Sequence, residues 1–334
     1  MSEAAIADAP SSDIVKEADA AVEILAKVRT EIGKVVFGQD RVVELTLAAI
    51  LGGGHALLIG APGLAKTKLV ETAARALGLD WGRVQFTPDL MPSDILGSEI
   101  LDESASGRSF RFVKGPIFTS LLMADEINRA SPRTQSALLQ AMQERHVTVA
   151  GASYDLPKPF IVLATQNPIE QEGTYPLPEA QLDRFLLKVD VDYPDAETER
   201  RILVETTGLV DQVVKPVLDA PRLIALQNLV RRMPVPEKVL EAIIRLVRSA
   251  RPEQSDHAGV KKRVEWGPSP RAGQALMLAA RSRALLRGRL APSLDDIEAL
   301  AEPALGHRMA LAYDPTGQGG TLASLIQDLA SKAA

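Results

Sequence analysis

One short segment, residues 60–67, constrains this sequence more than any other. It reads Gly-Ala-Pro-Gly-Leu-Ala-Lys-Thr, follows an apolar run at residues 56–59 and precedes a helical pattern at residues 69–77. Glycines in such a segment let backbone N–H groups turn toward phosphate oxygens, and the start of the next helix adds the positive end of its dipole. The segment therefore predicts a phosphate-binding loop between a strand and a helix.

Two side chains of this loop have the chemistry that binding of a nucleoside triphosphate requires. Lys66 can reach the outer phosphates, and the hydroxyl of Thr67 can bind Mg²⁺. Ala65 stands where the usual pattern has glycine, so the sequence leaves the loop geometry open. The predicted cofactors are ATP and Mg²⁺. The nucleotide-binding residues predicted in the loop are Gly60, Pro62, Gly63, Leu64, Ala65, Lys66, Thr67 and Lys68.

Composition argues against several other classes of function. The 334 residues are 46% hydrophobic, which is ample for a core, and the absence of cysteine excludes thiolate metal sites and a cysteine nucleophile. A net charge of −5 argues against nucleic acid as the main partner. The N-terminus lacks the pattern of a signal peptide, and no apolar run approaches the length of a membrane span. We therefore expect a cytoplasmic protein without a membrane span.

Apolar runs and helical patterns alternate up to about residue 193, which predicts an α/β fold with a mainly parallel five-stranded sheet. The predicted strands are residues 55–59, 83–87, 121–124, 160–165 and 185–191. Helical patterns dominate afterwards, at residues 196–207, 221–232, 236–250, 270–287, 292–305 and 322–330. The expected organisation is a flexible N-terminal tail at 1–21, an α/β nucleotide-binding domain at 22–193 and a smaller, all-helical lid domain at 194–334.

Three segments interrupt this pattern. Residues 89–116 form too long a connection for an ordinary loop, so we expect a structured insertion there. Residues 146–159 have the pattern of a strand, a turn and a second strand, which predicts a hairpin. Gln318, Gly319 and Gly320 predict a flexible break before the last helix.

Two adjacent carboxylates, Asp125 and Glu126, follow the apolar run at residues 121–124. In an enzyme with a phosphate loop, the first can hold Mg²⁺ through water and the second can polarise the water that attacks the γ-phosphate. The alternative is a helix cap or a surface turn. The lysine upstream favours the catalytic interpretation.

Asn167 follows the next apolar run, so its side chain should emerge at the same edge of the sheet as the phosphate loop. There it could orient the attacking water or contact the γ-phosphate. The alternative is an asparagine that stabilises the turn before Pro168.

Two arginines complete the set of candidate residues. Arg184 could stabilise charge on the transferred phosphoryl group, and in a ring it could do so for the nucleotide of a neighbouring subunit. The alternative is an ion pair with Asp183 or Glu179. Arg271 follows a predicted helix cap, Ser269, and so places a cation where the helix dipole disfavours it. It could reach from the helical domain to the ATP phosphates or be an exposed arginine without a partner. We expect solvated faces or subunit contacts for the basic clusters Lys261, Lys262, Arg263 and Arg281, Arg283, Arg287, Arg289.

Taken in order, several of these motifs resemble those of the MoxR family of AAA+ ATPases. They read GAPGLAKT, LLMADEINRA, ATQNP, LPEAQLDRF and GPSPRA, and the resemblance covers nearly the whole chain after about Val35. The resemblance implies an ATP-driven ring, usually hexameric, with nucleotide bound between the α/β domain and a helical lid. It also implies that residues 89–116 and 146–159 face the pore or the upper surface of the ring.

The resemblance assigns roles to positions of this sequence. Lys66 and Thr67 match the Walker A motif, and Asp125 and Glu126 match the Walker B motif. Further matches are Asn167 with sensor 1, Arg184 with the arginine finger, Arg271 with sensor 2, and Val36, Gly38 and Gln39 with the border of the adenine. The implied partners are further copies of the chain, a protein with a von Willebrand factor A domain and a client enzyme.

Remodelling of partner proteins is therefore the leading hypothesis. The alternatives are a motor directed at nucleic acid, a motor subunit similar to that of magnesium chelatase, and a nucleotide-binding scaffold without turnover. The acidic residues in the insertion at 89–116 do not favour nucleic acid, and the intact pair of Asp125 and Glu126 argues against a scaffold.

Overall fold

The computed structural model describes residues 12–104, 107–170, 173–208, 212–313 and 320–334. The helices are α1 (Ser12–Gly33), α2 (Asp40–Leu51), α3 (Lys66–Ala76), α4 (Pro92–Leu96), α5 (Pro132–Glu144), α6 (Glu179–Leu182), α7 (Ala196–Thr206), α8 (Ala220–Arg232), α9 (Glu237–Ser249), α10 (Ala258–Arg263), α11 (Pro270–Leu286), α12 (Leu294–Leu305) and α13 (Leu322–Ala333). The strands are β1 (Ala56–Ile59), β2 (Trp81–Gln85), β3 (Gly97–Ser104), β4 (Gly107–Lys114), β5 (Leu121–Asp125), β6 (His146–Val149), β7 (Ala152–Asp155), β8 (Ile161–Gln166), β9 (Leu187–Asp190), β10 (Val264–Trp266) and β11 (Ala310–Leu311).

A five-stranded parallel sheet forms the centre of the α/β part, in the order β2-β5-β8-β1-β9. The central strands β5 and β8 are apolar except at their ends, where Asp125, Thr165 and Gln166 lie, as expected for strands covered by helices on both faces, and every residue of β5 is buried. The sheet confirms the predicted α/β class and all five predicted strands. Since the strands are parallel, residues that follow them lie together at one edge, which we call the carboxyl edge; the opposite edge is the amino edge.

Two antiparallel hairpins project from this core. The segment expected to be an insertion contains the short helix α4 and the hairpin of β3 and β4, while β6 and β7 form the second hairpin. The ring of Phe112 on β4 stacks on that of Tyr154 on β7, with centroids 4.0 Å apart. The two hairpins therefore contact each other.

The N-terminal part of the chain differs from the expected tail. Residues 12–21 belong to α1, while residues 1–11 lie outside the described part of the chain. The apolar positions Ala18, Ala21, Leu25 and Val28 recur at helical spacing and are all buried. Composition rich in Ala, Ser and Asp suggested flexibility, but this apolar stripe anchors the helix in the core.

The C-terminal part is mainly helical, as predicted, and packs along α1, α2 and β9, with the start of α11 at the amino edge of the sheet. Leaving the carboxyl edge after α7, the chain runs past the end of α3, where the N–H of Val217 donates to the carbonyl of Ala76 at 2.8 Å. The later helices pack on α1 and α2, and α12 packs on β9. One small difference from an all-helical domain is the antiparallel ribbon of β10 and β11. The predicted break at Gln318 and Gly319 lies outside the described residues.

A buried ion network fastens the helical part to α2. Glu44 on α2 pairs with Arg283 and Arg287 on α11, and Asp296 on α12 pairs with Arg283 and Arg289. Asp296 is fully buried and Arg283 is 6% exposed. The expectation of solvated faces or subunit contacts is therefore wrong for Arg283, which is buried. Arg287 and Arg289 also bind carboxylates of their own chain, while their side chains stay 49% and 35% exposed. Among the helices of the described residues, none is long and apolar enough to cross a membrane.

Candidate functional site

The segment at residues 60–67 forms a tight loop between β1 and α3. A side chain at Gly60 would approach the carbonyl oxygen of Val191 to 2.5 Å, so only glycine fits there. Gly63 adopts a φ of +85°, and Ala65 adopts the left-handed region with φ 56° and ψ 21°. Ala65 thus takes the conformation that glycine usually supplies, which answers the question about loop geometry.

Lys66 begins α3, and its ammonium group lies against the loop. The ammonium donates to the carbonyls of Gly60 at 2.6 Å and Ala61 at 2.7 Å. Burial lowers the pKa of Lys66, while the nearby carboxylates of Asp125 and Glu126 act in the opposite direction. The group is a partly desolvated cation beside the start of a helix, which suits an outer phosphate.

Asp125 ends β5 and is held on both carboxylate oxygens. Thr165 Oγ1 donates to Oδ1 at 2.6 Å, and Arg83 donates to Oδ2 from Nε at 3.0 Å and from Nη2 at 2.6 Å. Asp125 is 8% exposed, so these bonds compensate its lost hydration. Its position is therefore fixed relative to both neighbouring strands, β2 and β8.

Glu126 lies one residue further along in the left-handed region, with φ 54°. Its N–H donates to Thr165 Oγ1 at 2.8 Å. Oε2 of its carboxylate accepts from Gln85 Nε2 at 2.7 Å and from Arg129 Nη1 at 3.1 Å. The carboxylate of Glu126 therefore contacts Gln85 at the end of β2.

The sequence analysis did not identify four residues that bond Asp125 or Glu126: Arg83, Gln85, Arg129 and Thr165. The register pairs Gln85 directly with Asp125, and Arg83 lies two residues earlier on the same face of β2. Polar residues at alternate positions near the carboxyl end of a strand were the available signal. The sequence did not show that β2 pairs with β5.

Asn167 lies at the same edge, as its place after β8 predicts, and is 5% exposed. Its Oδ1 accepts from the N–H of Ile169 at 3.1 Å, which is the turn-stabilising role weighed as the alternative. The side chain also lines the same cleft as Lys66 and Asp125. The two interpretations are compatible, because the turn fixes where the amide points.

The phosphate loop from Pro62 to Thr67, together with Arg83, Asp125, Glu126, Thr165 and Asn167, lines one cleft of about 470 Å³ at the carboxyl edge. Its donor set fits Mg·ATP: loop N–H groups and an ammonium suit phosphate, while the hydroxyl of Thr67 and the carboxylate of Asp125 are hard oxygen ligands for Mg²⁺. Lys68 also lines the cleft, but its Nζ lies 3.7 Å from the carboxylate of Glu71 and its side chain is 56% exposed. Glu71 lines the same cleft, and the predicted contact of Lys68 with nucleotide stays a prediction.

The segment expected to border the adenine lies at the carboxyl edge as well. Gln39 Nε2 donates to the carbonyl of Asp192 at 3.2 Å, just after β9. Gly38, with φ +65°, packs so closely on Thr198 of α7 that a side chain would clash. Val36 is buried. The predicted contact of Val36, Gly38 and Gln39 with adenine stays a prediction.

The two arginines lie at the opposite edge of the sheet. Arg184 and Arg271 line a cavity of about 210 Å³ together with Gly54 and His55, which immediately precede β1. The phosphate loop follows β1, and the five residue steps from His55 to Gly60 span roughly 16 Å at about 3.3 Å per residue. Neither arginine is among the residues that line the cleft of the phosphate loop.

The positions of the two arginines change what can be expected of Arg271 and of Arg184. Ser269 does cap α11, as predicted, but Arg271 does not reach the phosphate loop of its own chain, because α11 begins at the amino edge, where Ser269 Oγ donates to Asp183. Arg184 makes no ion pair with Asp183 or Glu179 in the described structure, since Asp183 pairs with Arg308 at 2.7 Å. The structural alternative for Arg184 is therefore wrong.

Ala65→Gly should not destabilise the protein. Releasing the left-handed alanine relieves about 1 kcal/mol of strain, which offsets the entropy that glycine adds to the unfolded chain. Ala20→Gly is a matched control in the exposed middle of α1 and should lower the free energy of unfolding by about 0.5–1 kcal/mol. Equal losses for the two variants in urea denaturation would contradict the assigned backbone conformation.

Comparisons with known proteins agree with this geometry. Residues 55–187 match the model described as "ATPase family associated with various cellular activities (AAA)", and residues 257–329 match the AAA lid domain. A crystal structure of a candidate ATPase from Cytophaga hutchinsonii superposes with a TM-score of 0.87 at 38% identity, covering 95% of this chain and 96% of that one.

Two curated relatives cover most of both sequences. The "Chaperone MoxR1" of Mycobacterium tuberculosis is 44% identical over 88% of this chain and 78% of its own length. The "Protein MoxR" of Methylorubrum extorquens is 35% identical over 86% of this chain and 87% of its own. With its phosphate loop, its paired carboxylates and its helical lid, this chain belongs to the MoxR family of AAA+ ATPases.

Proposed function

We propose that this protein hydrolyses ATP, with Mg²⁺ as cofactor, at the interfaces between identical subunits of a hexameric ring. The observation that carries the proposal is the separation of charged groups within one chain. Lys66 and Glu126 lie at the carboxyl edge, whereas Arg184 and Arg271 lie at the amino edge. In a ring where the amino edge of one subunit faces the carboxyl edge of the next, both sets meet on one ATP molecule.

One subunit holds the nucleotide in this proposal. Lys66 and the loop N–H groups bind the outer phosphates, and Asn167 orients the γ-phosphate or the attacking water. Thr67 and Asp125 would hold Mg²⁺, which supplies charge neutralisation on the phosphates when it is bound. Adenine lies against the segment at residues 36–39.

The chemical step needs a base beside the attacking water and positive charge beside the oxygens of the γ-phosphate. Glu126 polarises the attacking water and accepts its proton, and its bonds to Gln85 and Arg129 hold the carboxylate in place. Arg184 and Arg271 of the next subunit stabilise the negative charge on the transferred phosphoryl group. Activity is then a property of the interface rather than of one chain.

Mixed rings test this proposal. Arg184→Ala alone should bind ATP and assemble but hydrolyse on the order of 10³-fold more slowly, and Arg271→Ala should behave in the same way with a smaller loss. When either variant is mixed 1:1 with Glu126→Gln, about one interface in four joins an intact carboxyl edge of one subunit to an intact amino edge of the next. Roughly a quarter of the wild-type ATPase rate should therefore return.

The matched control mixes Arg184→Ala with Arg271→Ala. Both lesions then lie on the same edge, no interface has both arginines, and no recovery is expected. Subunit exchange is verified by differential labelling of the two variants. Verified mixed rings of Arg184→Ala and Glu126→Gln that regain no activity would mean that Arg184 does not act on a neighbour's nucleotide.

We further propose that the ring remodels partner proteins in the cytoplasm, with a von Willebrand factor A domain protein as a partner. Similarity to a chaperone supports this, as does the hairpin of β3 and β4, where the cross-strand pair Leu101 and Phe110 is 49% and 71% exposed. Exposed apolar side chains suit binding of a protein segment better than binding of a phosphate backbone.

Affinity capture with ATP-loaded Glu126→Gln tests this second proposal, and we expect it to retain a protein partner. Salt-sensitive retention of nucleic acid alone would contradict the proposal.

A further inference from the structure

A buried arginine from the helical part holds the backbone beside Arg184. Arg308 follows α12, is 2% exposed and has all five of its N–H donors bonded. The acceptors are the Asp183 carboxylate at 2.7 Å and the carbonyls of Asp183 at 3.1 Å, Leu186 at 3.2 Å, Ala304 at 2.6 Å and Phe185. Four of the five acceptors therefore belong to residues that flank Arg184.

The Asp183 carboxylate joins this arginine to the start of α11. Its Oδ1 accepts from Arg308, and its Oδ2 accepts from Oγ of Ser269 at 2.9 Å. Ser269 caps α11, and its Oγ accepts from the backbone N–H of Arg271 at 3.1 Å. A single carboxylate thus links the backbone around Arg184 to the helix start that carries Arg271.

Arg184 itself has little to orient it. Its Nε is buried without a hydrogen-bond partner, and its side chain has no ion pair within the described part of the chain. The direction of its guanidinium therefore depends on the backbone of residues 183–186. Arg308 binds three carbonyls of that backbone, and His307 Nε2 also lies 3.1 Å from the carbonyl of Phe185.

Stability alone does not explain why an arginine occupies position 308. A buried ion pair often contributes no more than well-packed apolar residues of the same volume, because both charges lose their hydration. The planar guanidinium can bind a carboxylate and several carbonyls at fixed angles, whereas a lysine has three donors on one atom. The arrangement at Arg308 uses the property that is specific to arginine.

We infer that Arg308 and Asp183 are positioning residues, which hold Arg184 and Arg271 as one unit aimed at the nucleotide of the neighbouring subunit. The inference rests on the proposed function. Its consequence is that a change at Arg308, buried within one chain, slows hydrolysis on the next chain. A purely structural role would instead impair nucleotide binding or stability of its own chain.

The test variant is Arg308→Lys, which keeps the charge but cannot satisfy all five acceptors. ATPase turnover should fall by on the order of 10- to 100-fold, since a small misplacement of a charged group has effects of that size. The affinity of the variant for ATP should stay within about twofold of wild type. Mixing with Glu126→Gln should restore part of the ATPase rate, as for Arg184→Ala, because the defect of Arg308→Lys lies on the amino edge.

Two further variants keep the inference testable if Arg308→Lys does not fold. Asp183→Asn preserves shape but weakens both bonds of the carboxylate and should show the same pattern. Ser269→Ala leaves the pair of Arg308 and Asp183 intact and disconnects only the start of α11, so a smaller loss of turnover is expected. Both should be complemented by Glu126→Gln.

Arg283→Lys is the matched control. Arg283 is also a buried arginine that joins the helical part to the core, but it lies 12 residues after Arg271 on α11, roughly 18 Å along the helix at about 1.5 Å per residue. It should lower the melting temperature yet leave turnover within about twofold. Equal loss of turnover in Arg283→Lys and Arg308→Lys would overturn the inference.

The mixing experiment separates this inference from the proposed function. If Arg184→Ala is complemented but slow Arg308→Lys is not, the ring assignment stands and the positioning role is overturned. Wild-type turnover in folded Arg308→Lys overturns it as well. If Arg184→Ala itself is not complemented, the proposed function fails and the inference fails with it.

Discussion

Lys66→Ala is expected to abolish tight ATP binding. The ammonium lies partly buried between the loop carbonyls and the carboxyl edge, and a bound triphosphate would lose its main cationic partner. By analogy with other buried charge pairs, the loss should be roughly 2–5 kcal/mol, or about 30- to 5,000-fold in affinity. Titration with a fluorescent ATP analogue, or calorimetry, measures it.

Lys68→Ala is the control for this prediction. Lys68 carries the same charge two residues later, but it is exposed and lies 3.7 Å from Glu71. Its removal should change the affinity for ATP less than about threefold, because an exposed ion pair contributes little. A Lys66→Ala variant that binds ATP as tightly as wild type would overturn the assignment of the phosphate loop.

Glu126→Gln is expected to keep ATP bound while slowing hydrolysis by a factor on the order of 10² or more. The amide keeps the size of the side chain but cannot accept a proton from water. The change leaves Asp125, Thr67 and Lys66 intact, so nucleotide affinity should stay near wild type. Phosphate release under saturating ATP is the measurement.

Glu170→Gln is a suitable comparison, since its carboxylate lies 3.7 Å from the same Arg129 that bonds Glu126 but does not line the cleft. It should hydrolyse ATP at close to the wild-type rate. Wild-type turnover in Glu126→Gln would require another residue to position the attacking water, and the role proposed for Glu126 would be wrong.

Much of the nucleotide cleft could be predicted from local sequence. A glycine-rich turn after an apolar strand, and carboxylates directly after another strand, specify their own geometry because parallel strands end at one edge. Ala65 left the loop geometry open, and the structure answers the question with a left-handed alanine. The position of Asn167 after an apolar strand likewise predicts its place at this edge, and the turn-forming bond to Ile169 follows from the residues around it.

Contacts between distant segments could not be predicted in this way. The bonds of Arg83 and Gln85 to Asp125 and Glu126 depend on the register between β2 and β5. The cap at Ser269 was correctly predicted because capping is local, whereas the destination of Arg271 depends on where α11 begins relative to the sheet. Arg308 had no motif around it, so nothing in the sequence distinguished it from a surface arginine.

The packing of the helical part against the α/β part also bears on the stability of the chain. Buried side chains of α1, α2, α3 and β9 form one continuous apolar cluster with those of α8, α9, α11, α12 and α13. The division near residue 193 therefore separates two topological regions that share one apolar cluster. Cutting the chain there would expose the apolar surface of each half to water, so we expect each half alone to be less stable than it is within the whole chain.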